Sequence, residues 1–95
     1  MTTHNGSVFT HIIKRDGGIK PFDSAKIAFA LERAAQVSGE FDAAEANRLT
    51  QYLVCPKIKV QGHVTPHIEQ IQDAVEAALF DAGYPKTLRD RKAHV

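Results

Sequence analysis

The stretch from Val64 to Pro85, "VTPHIEQIQDAVEAALFDAGYP", most constrains what this chain can become. Ile68, Ile71, Val75, Ala78 and Leu79 recur three and four residues apart, which is the period of one helix face. Thr65-Pro66 reads as the start, with Thr65 at the N-cap and Pro66 in the first helical position. Gly83 suits the residue just past the last turn, and Pro85 stops the helix there. A helix with a single apolar face must bury that face, so the rest of the chain has to supply its partners.

Similar punctuation divides the rest. Asp23 is an N-cap candidate for a run in which Ile27, Ala30, Leu31, Ala34 and Val37-Ser38 follow helical spacing, ending at Gly39. Asp42 and Glu45 have capping-box spacing ahead of Ala46, Leu49 and Leu53, and Pro56 is predicted to end that helix. Upstream, Val8 to Lys14 reads as a strand and Asp16-Gly17 as a hairpin turn. Ile19 to Phe22 is the partner strand, with Pro21 near an edge or its end. Lys57-Ile58-Lys59-Val60 alternates, which predicts a third short strand before Gly62. The expected fold is α+β: a small three-stranded sheet, made of an N-terminal β-hairpin plus one short strand, covering a bundle of three to four helices. Residues 1–7 read as a loose leader and 8–95 as one domain. The tail "LRDRKAHV" offers few apolar positions, so the chain from about residue 86 is expected to be an incomplete or frayed helix.

Bulk properties narrow the function. With 95 residues there is one modest core. A formal net charge of +1 argues against a nucleic-acid binder that works mainly by charge, although a local pair of cations can still hold one small polyanion. The single cysteine, Cys55, allows no disulfide within the chain and no multi-thiolate metal site. No run of about 18 apolar residues is present, so no membrane partner is expected and the cytoplasm is the default location. No phosphate-binding P-loop occurs. Ser24, Ser38 and Cys55 lack neighbours that suggest activation, and the predicted cap at Thr65 keeps His63 and His67 off a common helix face. These residues predict neither an enzyme nor a metal site.

An anion site has better support. Lys14 and Arg15 sit at a strand end beside a tight turn, where a forked guanidinium and a point charge can converge on a phosphate. The helix after Asp23 opens with free N–H groups, and Lys26 lies in its first turn against the preference of the helix dipole. Lys14-Arg15 can equally be a solvated hairpin, and Thr65 can be only a cap.

Taken together, "IIKRDGGIKPFDSAKIAFALERAA" from Ile12 and "VTPHIEQIQDAVEAALFDAGYPKT" from Val64 resemble the ATP-cone domain, with Ala46 and "RLT" from Arg48 to Thr50 fitting between them. This is a nucleotide-sensing module usually found at the N-terminus of ribonucleotide reductase catalytic subunits. The resemblance runs from Phe9 to Thr87, and Pro21-Phe22-Asp23 with Ile71-Gln72-Asp73 is closest to the anaerobic class. It implies four helices capped by a three-stranded mixed sheet, and ATP or dATP, with Mg2+, as effector. It implies that Lys14 and Arg15 hold the phosphates and that Asp16 and Gly17 shape the turn that aims them. Lys26 and Ile27 would lie against the adenine, Thr65 on its edge and Ile12 in the wall, with Arg89 as a further basic contact. The implied partners are the catalytic domain of a reductase and other copies of the domain in a nucleotide-dependent homo-oligomer. The chain would then be an excised regulatory domain or a stand-alone cone without catalytic residues. Two rivals are a degenerate cone serving as a protein-interaction module and part of a transcriptional regulator. Such regulators carry a zinc ribbon with several cysteines, whereas this chain has one.

Overall fold

The computed structural model describes residues 10–93, with side chains described for 10–91. Residues 1–7, expected as a leader, lie outside it, as do Val8 and Phe9 of the first predicted strand and His94 and Val95 of the tail. The described residues open with an antiparallel hairpin of β1 (His11–Ile13) and β2 (Ile19–Pro21). The register pairs His11 with Pro21, Ile12 with Lys20 and Ile13 with Ile19. Five helices follow: α1 (Ser24–Ser38), α2 (Ala43–Leu49), α3 (Cys55–Val60), α4 (Ile68–Ala82) and α5 (Pro85–Ala93). A π-helical stretch, Thr50–Val54, joins α2 to α3 without a break in helical backbone, so the five helices form four rods.

Local chemistry sets most of the boundaries. The Asp23 carboxylate accepts the Ala25 N–H at 3.0 Å and starts α1, and Gly39 ends it with φ +76°, its N–H donating to the Ala35 carbonyl at 2.7 Å. Asp42 accepts from the Glu45 N–H at 2.9 Å and starts α2. Gly83 closes α4 in the left-handed region with φ +83°. Leu31, Leu49, Val54, Ile58, Ile71, Val75 and Leu79 meet in one core.

The structure corrects several expectations. The segment Lys57–Val60 is helical, not a strand: Ile58 alone turns inward, while Val60 is 85% exposed. Among the described residues the sheet has two strands, and the place of a third is taken by a single parallel bridge between Ile13 and His67. The Ile13 N–H donates to the Pro66 carbonyl at 2.9 Å, which keeps the chain extended through His67. Helix α4 therefore starts two residues later than Thr65-Pro66 suggests. His67 is its N-cap, and the His67 N–H is taken by Gln70 Oε1 at 2.8 Å.

Pro56 does not end the second helical run. An α-helix would press the proline ring on the carbonyl of Tyr52. Here the turn has already widened, since the Cys55 N–H reaches back five residues to the Thr50 carbonyl. The apolar stripe of α1 is also rotated from the expected one: Ala28, Leu31 and Ala35 are buried, whereas Val37 is 81% exposed. The tail is helical through Ala93, because Thr87 is fully buried and Leu88 packs against the core. Those two contacts supply what the charged residues beyond them cannot.

Candidate functional site

The hairpin turn is built from Lys14 to Gly18. The Gly17 N–H donates to the Lys14 carbonyl at 2.9 Å, and the Lys14 N–H to the Gly18 carbonyl at 2.7 Å. Gly17 sits at φ +88°, a region that a side chain disfavours. Asp16 turns its carboxylate back onto the Gly18 N–H at 2.8 Å. That bond, helped by the Lys14 charge, holds the Asp16 carboxyl below its ordinary pKa.

The adjacent cations part company. Lys14 stays over the turn, its Nζ 3.8 Å from Asp16 Oδ2. Arg15 crosses to α4, where Nη2 donates to Gln72 Oε1 at 3.1 Å and Nε lies 3.6 Å from Glu69 Oε2.

Between the hairpin, α1 and α4 lies a cleft of about 190 Å³. Its apolar lining includes Ile12, Ile27, Leu31, Ile68, Ile71 and Val75. Lys20, Asp23, Lys26, Gln72 and Arg91 add polar and charged atoms. Arg91 comes from α5 and is half-buried, and its Nε is buried without a hydrogen bond. Burial pulls its pKa down, against the opposing influence of Glu76, yet a guanidinium stays charged. A wider cavity of about 760 Å³ adjoins, lined by Arg15, Arg33 and Arg91 together with Glu76 and Asp90. Gln72 and Arg91 line both cavities.

The cleft is smaller than the 300–1,000 Å³ of a usual small-molecule pocket. It suits one flat, apolar-faced group, while a charged remainder would lie outside, among the arginines. Of the residues singled out in the sequence, Ile12, Lys26 and Ile27 line the cleft and Arg15 lines its neighbour. Asp16 and Gly17 shape the turn. Lys14, Thr65 and Arg89 line neither cavity.

Lys20, Gln72 and Arg91 escaped sequence reasoning, and each had a signal. Lys20 pairs directly with Ile12, so the two share a face of the hairpin. Gln72 follows Ile68 by four residues on the α4 stripe. Arg91 follows the inward-facing Leu88 by three, about 60° from it around the helix, whereas Arg89 lies about 100° from it.

A family model described as the ATP cone domain matches residues 10–93. The chain is 39% identical over 87 residues to the ribonucleoside-diphosphate reductase subunit alpha of Chlamydia pneumoniae. The match covers 84% of this chain and 8% of that relative, so the chain spans a small part of the relative's length.

Proposed function

The chain belongs to the ATP-cone family, and from that premise we propose that it is an allosteric domain that senses ATP and dATP. The observation that carries the proposal is the junction of an apolar cleft with a cationic basin through Gln72 and Arg91. The base enters the cleft against Ile12 and Ile27, and Lys26 stands at its edge. The phosphates leave toward Arg15 and Arg91, whose forked donors match phosphate oxygens. Asp16 and Gly17 serve by fixing the turn from which Arg15 departs. Mg2+ would enter with the triphosphate, since among the described residues no three His, Cys, Asp or Glu side chains gather into a metal site.

The domain does no chemistry of its own in this reading. ATP and dATP differ by one ribose hydroxyl, and a site that hydrogen-bonds a hydroxyl can reject the analogue lacking it. The binding difference would bias the catalytic remainder of a reductase subunit, or its assembly with further copies, by a coupling of about 1–3 kcal/mol. Support for that recipient comes from the reductase subunit to which the chain is similar.

Calorimetric titration with ATP and dATP, alongside amide shift mapping, tests the proposal. The expected result is micromolar binding, about −8 kcal/mol, with the largest shifts at Ile12, Ile27 and Gln72. Absence of heat together with an unchanged spectrum at millimolar ATP would rule it out.

A further inference from the structure

We propose that Arg33 is the residue that reads the length of the phosphate chain, holding the terminal phosphate of a triphosphate in the second cavity. The inference rests on the nucleotide reading of the cleft and extends it to a residue outside that cleft.

Three observations lead there. The first is placement along α1. Lys26 and Ile27 line the cleft, and Arg33 lines the adjoining cavity. At 1.5 Å per residue, Lys26 and Arg33 are separated by about 10 Å along the helix. An extended nucleotide anchored by its base near Lys26 would direct its phosphates along that distance.

The second is continuity. Arg91 and Gln72 line both cavities, so the two lie side by side with these side chains at their shared border. A phosphate chain that leaves the cleft at Arg91 passes from one cationic side chain to the next. Arg15 arrives from the hairpin turn, Arg91 from α5 and Arg33 from α1.

The third is availability. Among the described residues Arg33 makes no ion pair; its guanidinium carbon lies 5.7 Å from the centre of the Phe29 ring. Stacking on a ring leaves the in-plane N–H donors of a guanidinium free for an anion. Arg15, by contrast, already leans on Gln72 and Glu69. Glu76 and Asp90 in the same cavity set a cost on any anion, which Arg33 helps to offset. A shorter phosphate chain would reach Arg91 and stop before Arg33.

The test is calorimetry of the 95-residue chain with ATP, ADP and AMP, in Mg2+, for the parent and for Arg33→Ala, Arg33→Lys and Lys59→Ala. Arg33→Ala should weaken ATP about ten-fold and ADP and AMP by less than about two-fold, the loss of one charged hydrogen-bonding partner. Arg33→Lys should recover part of the ATP affinity. Lys59→Ala, which removes an equal charge on α3, should change none of the three. Arg33 is exposed, so its variants should fold, and a thermal melt confirms it. ATP binding that Arg33→Ala leaves unchanged, or an equal loss for all three nucleotides, overturns the role of Arg33 and leaves the cleft reading standing. A stoichiometry that falls from two to one in Arg33→Ala also overturns it, because the cavity would then hold a separate ligand. No binding of any nucleotide to the parent chain would overturn both.

Discussion

Glu40 caps α5 from the loop after α1: its carboxylate accepts the Thr87 N–H at 2.7 Å and the Thr87 hydroxyl at 2.8 Å. The same carboxylate accepts the Lys86 N–H at 3.1 Å, and the Ser38 hydroxyl meets that of Thr87 at 2.7 Å. Burial pushes the Glu40 pKa up, but the Thr87 and Lys86 contacts outweigh it and leave the group below its ordinary value. A residue far away in sequence thus satisfies the free donors at the start of α5.

Glu40→Ala should therefore loosen α5 in particular. The expected loss is about 1–2 kcal/mol, the upper range for a removed helix cap. Hydrogen exchange should accelerate at Leu88 to Arg91 and leave the middle of α4 protected. Because α5 carries Arg91, ATP affinity should fall in the same variant, measured by calorimetry below its melting temperature.

Acid should act through Glu45. Arg48 grips its carboxylate at 2.6 and 2.7 Å, and the Tyr84 hydroxyl donates to it at 2.6 Å. The Arg48 bonds first, and then Tyr84, pull the Glu45 pKa from 4.5 to about 2. A depressed folded pKa means stability that is present above about 4.5 and lost as the pH falls toward about 2. Denaturant midpoints measured from pH 6 downward should fall within that window. Tyr84→Phe should move the Glu45 carboxyl resonance part of the way back toward its ordinary titration range.

The hairpin turn offers a test without steric complication. A methyl group on Gly17 would meet nothing within 4 Å, so Gly17→Ala isolates the cost of the left-handed backbone. About 1–2 kcal/mol is expected from urea unfolding. Gly18→Ala acts differently, since its new carbon would sit 3.1 Å from both Asp16 Oδ1 and Lys14 Cε. That variant should displace the turn's side chains more than its backbone, which chemical shifts at Asp16 and Lys14 would show.

Core and surface substitutions should separate cleanly. Leu79→Ala removes a fully buried side chain from the C-terminal part of α4 and should cost about 2–5 kcal/mol. Val37→Ala, on the exposed side of α1, should change stability by less than about 0.5 kcal/mol. Equal effects would mean that the α1 face bearing Val37 is packed in solution.

Which parts of this fold could be read from sequence follows from how local their causes are. Asp23, Gly39, Asp42 and Gly83 act on backbone groups within a few residues, so they marked helix ends correctly. Pro56 misled because what accommodates it, a widened turn, begins six residues earlier at Thr50. The alternation at Lys57–Val60 misled because burial of Ile58 against the other helices overrode a weak strand preference. Thr65 looked like a cap because the bond that delays α4 comes from Ile13, on another element. The site shows the same division. Lys26 stood out by its position in a first turn, whereas Ile12 and Ile27, which line the same cleft, came only from the family resemblance. Arg91 could be separated from Arg89 only through its spacing of three from Leu88, a weak signal in a tail with so few apolar positions.

The π-helical stretch gives the rod from Ala43 to Val60 one residue of slack. Ala46, Thr50, Val54 and Ile58 are all buried, four apart each time, a series that a regular α-helix would carry about 40° further around at every step. The wider turn takes up part of that rotation and keeps the series facing inward. Removal of one residue within Thr50–Val54 would return the widened turn to ordinary α-helical geometry. The stretch lies between the Asp42 cap on one side and the Lys57–Asp81 ion pair on the other. Beyond that stretch the residue that faces inward comes about one position later than a regular α-helix would place it.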